Sequence, residues 1–322
     1  MGRTLSAGIP EHFVDQFEGT LYHLLQQTES KFQQAVEVKP IVNAEDKAFD
    51  AIGKLGLTEK TGRNPETPVR DITTERRWVN TTPYHDSVLI DPDDDLNRIV
   101  EPGSDIMQEY LAAINRKKDD IILAAIDGAV VSGRTSKGGE TITWASQDGN
   151  VKYTGKDTGR TIAHDCSSGN CSSSDTGMTI EKAELVREYF AYKDAPDNIP
   201  IWGAISPRQA TNLFGQVEYT SGDYNTSKPL AVGRIIRGWH GINWIVSNKI
   251  VVGSSNDVDA DTSVIRCPFW LQNGLILGVQ DMVSTKMSIE SMLSYSKRIY
   301  VHMNMGAMRR DEDRVCYVEC QA

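Results

Sequence analysis

The chain has 322 residues, a net charge of −10, 39% hydrophobic residues and 24% charged residues, the balance of a soluble globular protein able to bury a core. An acidic surface repels phosphates, which argues against non-specific gripping of nucleic acid; a protein that encloses DNA without gripping it and an acidic cytosolic enzyme fit this balance equally. Residues 1–12 lack a basic stretch followed by an apolar one, and runs such as Ile121–Ile126 fall far short of a membrane span, so assembly in a reducing cytoplasm with no membrane partner is expected.

Residues 12–34 read as an amphipathic helix, with Phe13, Phe17, Leu21, Leu24, Leu25 and Phe32 on one side. It is either a core helix or a terminal arm, and removal of residues 1–34 is expected to leave a folded subunit. Residues 53–90 are polar and broken by Gly53, Gly56, Gly62, Pro65, Pro68 and Pro83. Inside them, Val69 to Val79 alternates like one part of an extended hairpin with little to bury, which is marginal alone. Trp78 beside Arg76 and Arg77 has the composition of an interface anchor. The Asp91, Asp93, Asp94 and Asp95 run lacks the central glycine and final glutamate of a calcium loop and reads as a solvated turn.

Ser104 is a good cap for a helix running to Ile126, with Gly128 as its stop. Its apolar stripe is Met107, Tyr110, Leu111, Ile114, Ile121, Ile122 and Ala125, and its middle, Asn115 to Asp120, is highly charged. Such a helix suits a spine lying across a domain. Residues 131–178 are loop and hairpin material, with short strands around Thr141–Trp144 and Val151–Tyr153. A helix follows at Thr179–Tyr192 with Thr179 as cap, then a buried strand at Ile199–Ile205. Ser206-Pro207 opens another helix to about Phe214. Arg234–Ile236 and Ile242–Ser247 read as paired strands. Phe269–Val279 is apolar, and Ile299–Asn304 and Arg314–Glu319 alternate on either side of an acidic turn. Strands and helices mix without regular βαβ alternation, so the class is α+β.

Catalytic and metal chemistry find little support. Cys166 with His164 and Asp165 would be a nucleophile beside its base in sequence, whereas such groups normally converge from separate elements. His164, Cys166 and Cys171 give three ligands at no recognised zinc spacing. The Gly133–Gly139 stretch lacks the Gly-Lys-Ser/Thr order of a phosphate loop and reads as a turn. Five cysteines at no framework spacing argue against a disulfide scaffold. Cys316 and Cys320, on one expected strand, would lie about 13 Å apart, too far to bridge. No enzyme activity, cofactor or metal is expected.

Two blocks carry a resemblance: "RRWVNTTPYHDSVLIDPDDDLNRIVEPGSDIMQEYLAAINRKKDDIILAAIDGAV", and "IPIWGAISPRQATNLFGQ" followed by "PLAVGRIIRGWHGINWIVSNKI". Asn115-Arg116, Asp120, Ile121 and Ala124 follow an extended loop; Pro207, Ala210 and Leu213, then Gly233, Ile235, Gly241, Ile245, Ser247 and Asn248, follow in order. The segment from Gly306 to Val315, "GAMRRDEDRV", closes the series. Together, over roughly residues 70–320, they resemble major capsid proteins of tailed bacteriophages with the HK97 fold.

The resemblance implies an N-terminal arm at 1–50, an extended loop at 51–90 and a peripheral domain at 91–178 with a spine helix near 104–127. An axial domain would span 179–280, and 281–322 would return to the peripheral domain. It implies a structural subunit assembling through hexamers and pentamers around double-stranded DNA. Partners would be copies of itself, a separate scaffolding protein, a portal and, in some particles, a decoration protein. Expected inter-subunit contacts are Phe13, Phe17, Arg63, Arg70, Arg76, Arg77 and Trp78. Lys54 and Lys60 lie where some relatives form crosslinks, but every such loop has lysines and no crosslink is assigned. An encapsulin-like shell around cargo enzymes is the alternative with the same fold.

Overall fold

Each of the three sheets among the described residues has an apolar face to cover, and the way the faces are covered sets the architecture. The computed structural model describes residues 26–64, 66–91, 103–154, 159–164, 177–216, 235, 238–250 and 264–321. Among these, helix and strand are intermixed as an α+β protein requires.

The largest core surrounds a five-stranded sheet ordered β7 (Thr161–Ile162), β13 (Val315–Gln321), β10 (Val264–Leu271), β8 (Ile201–Ile205) and β9 (Ile242–Val246). Near it lie α2 (Ile180–Tyr192) and α3 (Pro207–Phe214). Both helices start where side-chain oxygens were expected to cap them. Thr179 accepts from the Lys182 N–H at 3.3 Å and Ser206 from the Gln209 N–H at 3.3 Å, with Pro207 at a first-turn position that needs no donor. Phe269, Trp270, Tyr189, Phe190 and Leu213 fill this core.

A four-stranded sheet, ordered β1 (Glu37–Pro40), β11 (Leu275–Glu290), β12 (Ser296–Arg309) and β4 (Thr82–Ile90), carries the spine helix α1 (Gly103–Asp127). Tyr110 and Ile114 of the helix pack on Ile299, Val301, Met303 and Met305 of β12, while Ile122 and Ile126 enter the larger core. One helix thus joins two cores. Leu111 of the expected stripe is instead exposed.

The third sheet is ordered β2 (Asp46–Ile52), β3 (Thr74–Asn80), β5 (Val130–Ser132) and β6 (Glu140–Ile142). Its β2–β3 hairpin is rooted in a small core of Ile41, Val79, Val130, Ile276 and Met308. The root sits where β11 and β12 present a facing pair of glycines, Gly278 and Gly306. A Cβ on Gly306 would lie 2.0 Å from the Asn80 carbonyl oxygen, and one on Gly278 would lie 2.7 Å from methyls of Ile41 and Val79. The two glycines make the seat on which the hairpin rests.

Two sequence expectations change, and two strands gain partners that the sequence did not name. The strand read from Val69 begins at Thr74, and its partner is the upstream segment Asp46–Ile52; Pro68 can donate no ladder bond. β9 pairs in parallel with β8; its partly and fully buried pattern fits a covered parallel sheet better than a hairpin. The expected pairing with Arg234–Ile236 falls on a segment of which Arg234 and Ile236 lie outside the described residues, so the β8 ladder adds a partner and does not replace that one. The two alternating C-terminal strands belong to different sheets, β12 and β13, and the turn through Glu312–Arg314 carries the chain between them. Finally, residues 26–32 are irregular and lead into a 3₁₀ turn at Gln33–Ala35.

That last change has a local cause. Asp119, fully buried on α1, accepts from Ser30 Oγ at 2.5 Å, from the Lys31 N–H at 3.1 Å and the Phe32 N–H at 3.4 Å, and from the Gln27 amide. The backbone donors serve the carboxylate instead of a helix of their own. Phe32 is then fully buried beside Trp270, ring centroids 6.2 Å apart, and Trp270 Nε1 donates to the Ala35 carbonyl at 2.8 Å. Deletion through residue 34 would remove Phe32, a fully buried core side chain, and is therefore expected to destabilise the subunit.

Truncation of Phe32 to Ala is expected to cost about 3–5 kcal/mol in a denaturant titration; a loss within about 0.5 kcal/mol would place the residue on a tolerant surface. Gly306→Ala is expected to lower the thermal midpoint, because a backbone carbonyl has to move to admit one methyl group; an unchanged midpoint would mean the seat is soft.

Candidate inter-subunit contact site

The β2–β3 hairpin changes character along its length. At its root, Val79 and Arg77 point inward and are buried, while Trp78 and Arg76 take the opposite face, as period-two alternation requires. Trp78 is half-buried and donates Nε1–H to the Gly133 carbonyl at 2.8 Å. Part of this expected interface anchor is therefore used within the subunit.

Arg77 is used wholly inside. Its guanidinium donates to both Glu312 oxygens at 2.9 and 2.7 Å and to Glu75 at 2.6 Å. Glu312 also accepts from Arg309 Nε at 3.1 Å. Arg309, with no exposed surface, donates Nη1–H to the Ile126 and Gly128 carbonyls at 2.7 and 3.1 Å, and its guanidinium lies 5.1 Å from the Trp144 ring centre. It thereby caps the C-terminal end of α1, where a cation is favoured.

Burial pushes the Glu312 carboxyl up, but hydrogen bonds and charge from Arg77 and Arg309 outweigh it and hold the group below its usual range. Burial also pulls Arg77 down, and its two carboxylate partners more than reverse that. Arg309 is lowered by burial.

One rung outward the surroundings are wet. Arg76 pairs with Asp50 through bonds of 2.6 and 2.8 Å on an exposed face, which lowers the Asp50 carboxyl and raises the guanidinium. Such exposed pairs contribute little. Beyond them, Arg63 and Arg70 are exposed, and Arg70 Nη2 donates to Thr58 Oγ1 at 2.9 Å. Ile52, Leu55, Leu57, Val69 and Ile72 are exposed too, Leu57 and Val69 almost completely. Phe13 and Phe17 lie outside the described residues.

A second apolar patch was not foreseen. Met287, Ile289, Met292, Leu293 and Tyr295 are exposed at the tip of the β11–β12 hairpin, where Ser294 and Tyr295 take positive φ angles of 53° and 56°. Alternation in sequence marks a strand but does not say which strands project past the sheet.

The charged waist of the spine helix is also occupied within the chain. Besides Asp119, Asn115 donates to the Thr28 carbonyl at 2.8 Å and Lys118 to Gln33 Oε1 at 2.9 Å, while Lys249 reaches Asp120 at 2.6 Å. Charge alone does not expose the waist: Lys118 and Asp119 are buried.

No reactive constellation stands out among the described residues. Among the described residues no group of three or more His, Cys, Asp or Glu side chains is placed to hold a metal ion. His164 Nδ1 lies 3.6 Å from Glu319; Cys166 and Cys171 lie outside the described residues. Cys316 and Cys320 share β13 and are buried, and burial pushes the Cys316 thiol up, away from nucleophilic use. Gly133–Gly139 forms the turn between β5 and β6, with positive φ at Gly133 and Gly138. An open polar cleft of about 430 Å³ beside the hairpin root, reaching Asn43, Glu45, Thr81, Gln280 and Asn304, contains one carboxylate and no histidine, cysteine or lysine. No described helix is long and apolar enough to cross a membrane.

A family model described as phage capsid protein matches residues 9–322. The fold is similar to the capsid structure of Cyanophage P-SCSP1u, at TM-score 0.71 and 13% identity over 97% of this chain and 94% of that one. It is also similar to the capsid of Ralstonia phage GP4, at 0.66 and 13% over 100% and 98%. The capsid of a native GTA particle matches at 0.63 and 12% over the full length of both chains. No curated protein matches the sequence. The HK97-like fold implied by the sequence blocks is thus the fold observed.

A carboxyl held low by its folded surroundings contributes stability at pH values above its ordinary pKa of about 4.3, and that contribution is lost as pH falls through the folded value. Glu312→Gln is therefore expected to lower stability at neutral pH and to flatten its decline in acid. Denaturation midpoints across a pH series read both; parallel curves for the two proteins would contradict it.

Proposed function

Because the chain belongs to the phage capsid protein family, which makes it a subunit of the virion shell, we propose that it assembles through hexamers and pentamers into a closed shell around double-stranded DNA. The family match over residues 9–322 carries this reading. The uncovered hairpin supports it: residues 53–73 present Leu55, Leu57, Val69 and Ile72 to solvent with no core of their own. A segment of this kind is ordered most cheaply on the surface of another copy. Many weak contacts repeated around a closed lattice then hold the shell together.

Within that reading, residues 51–90 form the extended loop on the β2–β3 hairpin, 91–178 carry the spine helix of a peripheral domain, and 281–322 return to it. Residues 179–280 form the axial domain, which meets its copies around the local symmetry axes, and 1–50 form the arm. Arg63, Arg70, Arg76 and the free face of Trp78 contact neighbouring copies, as do Phe13 and Phe17. Assembly takes place in the host cytoplasm with a separate scaffolding protein and a portal, and some particles add a decoration protein. The net charge of −10 suits a wall that encloses DNA without gripping it. The role is structural, with no catalysis.

Light scattering and negative-stain images of the protein, co-expressed with its genomic neighbours, test the reading. Closed shells, or rings of five and six, are expected; a small monodisperse oligomer under all conditions would overturn it. Shells containing enzymes in place of DNA would indicate a cargo compartment. Replacing Leu57 and Val69 together by Ser is expected to reduce shell yield while changing subunit stability by no more than about 0.5 kcal/mol. An equal loss in both measurements would mean the loop packs on its own subunit.

A further inference from the structure

The Arg77–Glu312–Arg309 cluster is an expensive way to hold a protein together. Burying ions costs several kcal/mol each, and well-packed apolar residues in their place are often as stabilising. What the cluster supplies is direction. The Arg77 fork meets the Glu312 carboxylate in a two-point contact, which fixes both the distance and the plane of the pair.

The elements it joins are distant in sequence. Arg77 belongs to the hairpin root on β3. Glu312 lies in the turn leading into β13. Arg309 ends β12 and holds the last carbonyls of the spine helix, at Ile126 and Gly128. The glycine seat of Gly278 and Gly306 lies on the same strand pair that ends in Arg309. So the hairpin root, the end of the spine helix and the entry to β13 share one rigid point.

Burial drops one rung farther out. The Phe49–Arg77 rung is tied to the body by the buried pair and by Val79 in its small core. The next rung, Asp50–Arg76, has an exposed ion pair, and residues 53–73 are exposed almost throughout. A projecting arm that is free at the tip and clamped at the root transmits the orientation of its root.

We propose that the Arg77–Glu312–Arg309 cluster is a joint that fixes the take-off direction of the β2–β3 hairpin relative to the spine helix, and so sets the angle between neighbouring copies and the diameter of the shell. This rests on the shell reading above. In any closed lattice, a small error in the contact angle is repeated at every subunit and changes the curvature. An apolar cluster would keep the subunit folded while allowing the hairpin a wider fan of directions.

The decisive variant is Arg77→Leu with Glu312→Leu. It removes a pair that is neutral as a whole, but it also takes the Glu312 carboxylate from the buried Arg309, which keeps its two carbonyl acceptors and the Trp144 ring, so folding is checked first by circular dichroism. The double variant is expected to fold, to exchange the amide hydrogens of Arg77–Asn80 roughly tenfold faster than wild type, and to form shells of mixed diameter or none. Wild-type shells of one diameter beside double-variant shells of that same diameter would overturn the joint and leave the shell reading intact. If wild type forms no shells at all, the shell reading falls and the joint falls with it. Should the double variant not fold, Arg77→Lys keeps the charge and loses the fork. Its folded subunit is expected to give a broadened diameter distribution, and a single wild-type diameter would equally overturn the joint.

Discussion

A carboxylate buried between two guanidiniums holds the parts of this subunit in register. Glu312 has almost no exposed surface, and neither do Arg77 and Arg309. Without it, two like charges would face each other in a dry site, and the hairpin root, the spine helix end and the last strand would lose their common point. Around that point the close approach of backbone at Gly278 and Gly306 leaves little freedom for the chain to settle elsewhere. Charge and sterics act together: the glycines permit the crossing, and the ion cluster fixes its angle.

The rest of the molecule divides by what is covered. The spine helix serves both large cores with its apolar stripe and uses its polar waist to hold the segment from Gln26 to Gln33. Asp119 replaces the helical hydrogen bonds that this segment gives up, and Phe32 follows into the core. Against these covered interiors stand two uncovered apolar ends, one on the loop at 53–73 and one at the tip of β11–β12. Large apolar side chains left exposed together at the end of an element mark a surface made for partners. In a shell subunit the partners are copies of the same chain.

Local signals are legible in the sequence. Thr179 and Ser206 cap the helices they were expected to cap, Ile201–Ile205 is a buried strand, and the spine helix stops beside Gly128. The C-terminal block of the family resemblance contains Gly306, Arg309 and Glu312, so the pieces of the joint were visible even though their roles were not. Partnership across long sequence separation was hidden. Arg77 and Glu312 lie 235 positions apart, and Asp119 finds Ser30 across 89. Periodicity assigns a residue to a face and is silent on what that face meets. The same limit explains β9, whose strand was legible and whose parallel partner was not. Arg76 and Arg77 look alike as neighbours in a basic pair, yet alternation sends one to water and the other to a buried carboxylate. Applied one residue at a time, that rule would have separated them.

The central claim is that the hairpin is clamped at its root within the subunit and finds its outer partner only in the shell. Hydrogen exchange, measured on the unassembled subunit and on assembled particles, tests this most directly. Slow exchange at Arg77–Asn80 in both states is expected, with exchange across 53–73 fast in the free subunit and slowed on assembly. Protection of 53–73 in the free subunit, or fast exchange there in the intact particle, would contradict the account.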